Sequence, residues 1–380
     1  MQRRIVGQNQ GRRHPELAEI SPRIVVSPED AERVAEVIQQ NLTGNTRLNR
    51  FILRMSNNTD RFYKFIKRFP VENYVAGESL EDGIQAVREL NQQGRRGLLD
   101  RMGEYINNRR EAAQSVDAYI KAVDKIADNK LDAGVSFKLS MMGMGLKDGI
   151  DPTGTDDSFC TENTYRILDR CHERGVRAEV DMEDSRYTKR TVDLVTGAAD
   201  DGFQNLAVCL QANIRASPTY FEELQKRGIK IRWVRGVYQE EGTPENIAMH
   251  DKKEIRDVQK KEIQTLLAGA KKHNCPVAIA THKKPLIEHA KKVAAELGIA
   301  PDSGLLEFQF LRGFGSPYKE KAAKEGWPTS EYTPYGENLI PYYGRRIVEE
   351  LRNFGDLSVG AKMAEIMMIG RSLLHQRKSK

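Results

Sequence analysis

The chain has 380 residues, 39% apolar and 30% charged, enough for one large barrel or two domains and too charged for a disordered or membrane-spanning chain. Sixty basic residues against 54 acidic leave a net charge of +6, a mixed surface that argues weakly for nucleic acid as a partner. No run approaches the roughly 20 apolar residues of a transmembrane helix.

Residues 1–13 are polar and basic, without the apolar core of a secretory leader. The four cysteines (Cys160, Cys171, Cys209 and Cys275) form no CxxC pair. Together these features read as reduced thiols in a cytoplasmic protein.

The first part of the chain reads as helical. Ser27 suits an N-cap and Pro28 a first helical turn. Ala31, Val34, Ala35, Ile38 and Leu42 then recur at helical spacing. A second apolar and aromatic stretch, residues 51–69, is predicted helical too. We treat residues 1–73 as a helical arm.

From Tyr74 the pattern changes. Ser79 caps a helix carrying Leu80, Ile84, Val87 and Leu90, and Gly94 ends it. Strand-like runs follow at 97–102, 135–141, 178–182, 206–211, 231–238, 277–281, 306–311 and 331–335. Amphipathic helices are predicted between them, for example over 161–174, 253–272 and 284–297. Eight strand-then-helix units predict a parallel sheet covered by helices. Their length fits a closed (β/α)8 barrel. An open doubly wound sheet is the alternative, but the Gly-rich dinucleotide turn expected there is missing. Gly143-Met144-Gly145 leads into a turn-like stretch and makes a poor phosphate loop.

The chemistry of such a barrel sits at the C-terminal strand ends. Polar groups inside strands are costly unless paired or used. Lys138 stands between Phe137 and Leu139 and is either half of a core ion pair or part of a site. With Asp181, Arg232 and Glu307 on other strands, the reading favours a polar site at one barrel mouth. Arg345-Arg346 lie on a helix predicted to begin past Pro341-Tyr342-Tyr343-Gly344, near that mouth. Two guanidiniums and a lysine there suit a carboxylate or phosphate. His282 also reads as a core histidine. The histidines show no metal-ligand spacing, and no GxSxG elbow marks a hydrolase.

These residues resemble the proline dehydrogenases, a family of flavin-dependent barrel enzymes, over residues 74–350. The motifs stand in family order: Tyr74-Val75-Ala76-Gly77-Glu78-Ser79-Leu80-Glu81, Ser136-Phe137-Lys138-Leu139-Ser140 and Asp181-Met182-Glu183-Asp184-Ser185. Arg232-Trp233-Val234-Arg235-Gly236-Val237-Tyr238 comes next, then Ala280-Thr281-His282 and Glu307-Phe308-Gln309-Phe310-Leu311. Tyr332-Thr333-Pro334-Tyr335-Gly336 and Tyr342-Tyr343-Gly344-Arg345-Arg346 close the set. The family's usual lysine is Arg235 here, and Arg312 replaces a common Tyr or His.

The resemblance implies a distorted (β/α)8 TIM-like barrel over 74–352. It implies non-covalent FAD and oxidation of L-proline to Δ1-pyrroline-5-carboxylate. A hydride would pass from C5 to flavin N5, and the electrons to a quinone. Lys138, Arg345 and Arg346 would hold the proline carboxylate. Tyr238, Leu311, Tyr332 and Tyr342 would wall the ring. Asp181 would orient the site, and Arg232 would lie near flavin N5. Met182, Gln211, Arg235, Gly236, Val237, Thr281 and His282 would contact FAD.

Residues 353–380 read as an amphipathic helix and a basic tail. The quinone suggests peripheral contact with the inner face of a membrane. The rival readings are a non-redox barrel binding a phosphorylated or carboxylate ligand, and a basic nucleic-acid binder.

Overall fold

The computed structural model describes residues 27–41, 62–63, 71–103, 106–236, 243–337 and 339–356. The predicted helices over 51–69 and beyond 357 therefore lie outside the described residues, apart from Phe62 and Tyr63. Helix α1 (Pro28–Asn41) starts where the sequence predicts. Ser27 Oγ accepts from Asp30 N at 3.1 Å, and the Asp30 carboxylate accepts from Ser27 N at 3.0 Å. Helix α2 (Leu80–Gln92) opens on the same reciprocal cap between Ser79 and Asp82.

Eight parallel strands then close into a barrel. They are β1 (Arg96–Arg101), β2 (Ala133–Phe137), β3 (Arg177–Val180), β4 (Leu206–Gln211), β5 (Lys230–Val234), β6 (Val277–Ala280), β7 (Leu306–Leu311) and β8 (Thr329–Tyr335). The barrel shuts between β1 and β8, with Leu98 beside Tyr332 and Asp100 beside Pro334. The intervening helices are α3 (Arg109–Asp128), α4 (Ser158–Arg174), α5 (Ser185–Asp200), α6 (Ser217–Lys226), α7 (Lys252–His273), α8 (Lys284–Glu296) and α9 (Ser316–Lys324). Helix α10 (Leu339–Asp356) follows β8 and runs across the 352/353 boundary read from the sequence.

Strand alternation sorts the side chains. On β5, Trp233 points outward, where its Nε1 donates to Glu262 of α7 at 2.7 Å. Its neighbour Arg232 points inward to Asp181 and Glu179. On β7, Phe308 and Phe310 join the outer core, while Glu307 and Gln309 face the barrel interior.

Several strands end earlier than predicted, β2 and β5 by the most. β2 stops at Phe137, and a 3-10 turn (Leu139–Met142) follows. There Ser140 gives both its N–H (3.0 Å) and its hydroxyl (2.6 Å) to the Glu183 carboxylate, which draws the chain out of the sheet. Lys138 is thus the first residue past the strand, not an interior one. β5 stops at Val234, ahead of Gly236 at φ +94°.

Helix α10 begins earlier than predicted and takes Pro341 to Gly344 into its first turns. Proline is tolerated there because the first helical N–H groups have no partner to lose. Helix α1 lies against α10: Ala31, Val34, Ala35 and Ile38 share a second core with Tyr343 and Ile347. A Cβ on Gly344 would stand 2.6 Å from Val37 Cγ1, so the two helices meet at a glycine for lack of room.

Candidate active site

The barrel interior is filled with ions rather than with the branched aliphatic residues usual there. At the N-terminal end Glu307 is the hub. It meets Lys230 Nζ at 2.9 Å and Arg96 Nη1 at 3.2 Å, and accepts from Ser330 Oγ at 2.6 Å. Burial alone would raise its carboxyl, but Lys230, Ser330 and Arg96 hold it well below the usual range. Glu307 is therefore a floor residue and not part of the mouth, contrary to the sequence reading. It faces inward like Gln309 and Leu311, but it enters at the start of β7.

The mouth is built around Asp181, one residue past β3. Asp181 Oδ1 is held by Arg232 Nη2 and accepts from Met182 N at 2.9 Å. Oδ2 accepts from Tyr332 Oη at 3.0 Å and lies 3.7 Å from Lys138 Nζ. Burial pushes this carboxyl upward, yet Arg232 and then Lys138 more than offset it and lower it. Arg232 is also pinned from below, its Nε 2.8 Å from Glu179 Oε1, and its Cζ stands 5.1 Å over the Tyr332 ring. Lys138 Nζ meets Asp100 Oδ1 at 3.3 Å. Burial raises the Asp100 and Glu179 carboxyls, each against the pull of its cation.

Sequence reasoning thus picked out Lys138, Asp181, Arg232 and Tyr332, and the fold joins them. It missed Asp100 and Glu179. Asp100 was hidden in an apolar run, although an acid beside Leu98-Leu99 carries the same signal as Lys138.

Helix α10 brings the next group. Arg346 is buried, its Nη1 2.6 Å from Glu349 Oε2 and its Cζ 5.0 Å over the Tyr342 ring. Arg345 is half-buried. Tyr342 shares a core with Met102, just past β1, and with Leu311, so the first turns of α10 lie beside the strand ends. Tyr342 Oη and Arg346 Nε are buried without a hydrogen-bond partner among the described residues. Leu311 packs against the same core from the end of β7.

The described residues read as cofactor contacts lie at the ends of β3, β4, β5 and β6. Gln211 Nε2 donates to Glu183 O at 2.6 Å. A Cβ on Gly236 would fall 1.7 Å from Asn213 Oδ1 and 3.0 Å from Gln211 Oε1. Gly236 thus makes a close cradle that no other residue fits. Asn213 Oδ1 is buried without a donor among the described residues, an unmet acceptor that the sequence did not signal. Arg235 is exposed beside the cradle, and its carbonyl accepts from Asn213 N at 3.2 Å.

Met182 is buried behind Asp181. Thr281 Oγ1 accepts from Lys283 N at 3.2 Å. His282 stacks on Phe314 at 5.2 Å, and its Nδ1 has no hydrogen-bond partner among the described residues. Burial pushes its pKa down to about 4, so the ring is neutral. Val237 and Tyr238 lie outside the described residues. No His/Cys/Asp/Glu group suited to a metal occurs among the described residues, and no described helix is long and apolar enough to cross a membrane.

A family model described as proline dehydrogenase matches residues 83–358. "Proline dehydrogenase" of Deinococcus radiodurans is 31% identical over 284 residues, 74% of this chain and 86% of that one. "Proline dehydrogenase 2" of Bacillus subtilis is 29% identical over 279 residues, 73% of this chain and 86% of that one. The barrel also superposes on proline utilization A of Bdellovibrio bacteriovorus, crystallised after inactivation by N-propargylglycine. The TM-score is 0.69 at 19% identity, over 85% of this chain and 37% of that much longer one, a likeness of fold.

Proposed function

This chain belongs to the proline dehydrogenase family, and from that premise we propose that it oxidises L-proline to Δ1-pyrroline-5-carboxylate with FAD as cofactor and a quinone as electron acceptor. The observation that carries the reading is Asp181, held at once by Arg232, Tyr332 and Lys138 beneath a helix bearing two arginines.

The residues at the mouth fit the cofactor. Gly236 lets the Asn213 side chain close over the backbone past β5, and Asn213 Oδ1 has no donor among the described residues, so it can receive one from a bound group. Gln211 and Arg235 lie beside that place, and Thr281, His282 and Met182 are assigned to the same cofactor from the family motif. Val237 is assigned here from the family motif alone. When bound, FAD supplies the two-electron acceptor, and the protein supplies position and field.

The chain's own residues do the rest. A zwitterionic amino acid needs its carboxylate neutralised. Lys138, Arg345 and Arg346 do this and fix the ring in one orientation. Leu311, Tyr332 and Tyr342 wall an apolar slot that excludes water, and Tyr238 is assigned to it from the family motif alone. Asp181 keeps Arg232 and Lys138 apart and aimed.

The division into an arm (1–73), a barrel (74–352) and a tail (353–380) belongs to the same proposal. So does peripheral contact of the tail with the inner face of a membrane, where a quinone is met.

The test is the visible spectrum of the purified protein before and after anaerobic addition of L-proline. A flavin spectrum that bleaches supports cofactor and substrate together. A flavin spectrum untouched by proline removes the substrate. No flavin even after reconstitution with FAD overturns the reading in favour of a non-redox anion-binding barrel.

A further inference from the structure

A second polar pocket lies outside the barrel, against the outer face of β8 and between α2 and α9. Its volume is about 230 Å³. Its wall is dominated by Glu331, Arg95, Arg312 and Lys319, with exposed Glu72 and Glu89 at the rim. Glu331 points away from the barrel because it alternates with inward Ser330 and Tyr332 on β8.

One buried carboxylate faces three cations. Lys319 Nζ contacts Glu331 Oε2. Arg95 Nη1 stands 3.5 Å from the same oxygen, and Arg312 Nη1 stands 3.5 Å from Oε1. The Arg95 and Lys319 side chains are only 11% and 10% exposed. The inner wall thus carries two more positive charges than negative. Buried charge in excess of its partners is costly.

Arg95 Nη2 donates to Gln93 Oε1, whereas Arg312 has hydrogen-bonding capacity to spare. A distance of 3.5 Å is a poor hydrogen bond. Arg312 Nε is buried with no acceptor among the described residues. A planar fork with unused donors, beside a lysine, is the arrangement that takes an oxyanion in two-point contact.

We propose that this pocket binds a small oxyanion, of the phosphate or carboxylate class, on Arg312, Arg95 and Lys319. The proposal does not depend on the chemistry assigned to the barrel mouth. It does connect to it. Arg312 directly follows Leu311, and its N–H donates to Tyr332 O at 3.0 Å, while Glu331 directly precedes Tyr332. An anion drawn onto Arg312 acts on the backs of two residues that wall the mouth.

Inorganic phosphate is the probe, titrated calorimetrically into the full-length protein at constant ionic strength and with proline saturating the mouth. One saturable site is expected in the wild type. Arg312→Gln is expected to weaken it by roughly tenfold or more, the loss of one charge-assisted contact. If that variant does not fold, as judged by circular dichroism, Arg312→Lys is read instead. It keeps the charge, loses the fork and is expected to weaken binding as well. No saturable binding by the wild type up to about 10 mM phosphate, or binding unchanged in the Arg312 variant, overturns the proposal.

Discussion

Replacing Glu262 by glutamine should make the protein less sensitive to rising pH. Glu262 is buried beneath β5, receives one hydrogen bond from Trp233 Nε1, and its Oε1 has no partner among the described residues. Burial, only partly opposed by that hydrogen bond, pushes its pKa up to about 7 from the ordinary 4.5. Between these values the folded state holds a proton that the unfolded state has released. Stability therefore falls as pH rises through this window and levels off above it. A displacement of that size is worth about 3 kcal/mol. For a chain of 380 residues this is about 4 °C in the thermal midpoint. Glu262→Gln keeps an acceptor for Trp233 and removes the titration. Calorimetric midpoints of wild type and variant at pH 5 and pH 8 provide the assay. Most of that window lies between the two pH values, so the gap between the two proteins should shift by about 3 °C in favour of the variant at the higher pH. Parallel pH curves would refute the reasoning, because every other titrating group is common to both proteins.

Three further outcomes are expected. Arg345→Met and Arg346→Met should each raise the proline KM by roughly 10- to 100-fold, the worth of one charge-assisted contact, with FAD retained; a normal KM in both removes them from the carboxylate site. Asp181→Ala leaves Arg232, Lys138 and Tyr332 without their shared acceptor and should cut turnover by about tenfold or more while flavin content changes less; wild-type turnover would take Asp181 out of the site. Gly236→Ala places a Cβ on Asn213 at a φ of +94°, so flavin should be lost on gel filtration; full retention would show that the cradle is not a cofactor contact.

The barrel was legible because its strands and helices obey different periods. β4 and β7 begin and end where the apolar runs do. β2 and β5 were read too long for a physical reason. Lys138-Leu139-Ser140-Met141 keeps a strand-like alternation, but Ser140 is claimed by Glu183, forty-three residues away in sequence. Local pattern carries no trace of such a partner. Glu307 shows the same limit along a strand. A period of two says which face a residue takes, but not whether it sits at the floor or at the mouth. That depends on where the strand begins, and Glu307 is its second residue. Asp100 was missed for the opposite reason, because its apolar neighbours masked a residue at the mouth end of β1. Asn213 had no signal at all, since its role appears only when Gly236 is folded against it.

The charge balance of the mouth separates a zwitterion from a phosphate. Below α10, Lys138 and Arg232 face Asp100, Asp181 and Glu179, two cations against three carboxyls. Acidic groups are in excess, and burial before anything else raises the Asp100 and Glu179 carboxyls. A dianionic phosphate set among three acids would meet repulsion that Lys138 cannot offset alone. Arg345 and Arg346 approach from the other side, on α10, and Arg346 already spends part of its charge on Glu349. The field across the site therefore runs from acids at the strand ends to guanidiniums on the helix. A ligand that carries a carboxylate at one end and an ammonium at the other lies along such a field with both ends satisfied. This polarity, more than the number of basic residues, favours an amino acid over the phosphorylated ligand of the rival reading. It also explains why α1 braces α10 so closely at Gly344: the positive half of the site rides on a helix outside the barrel and needs its own support.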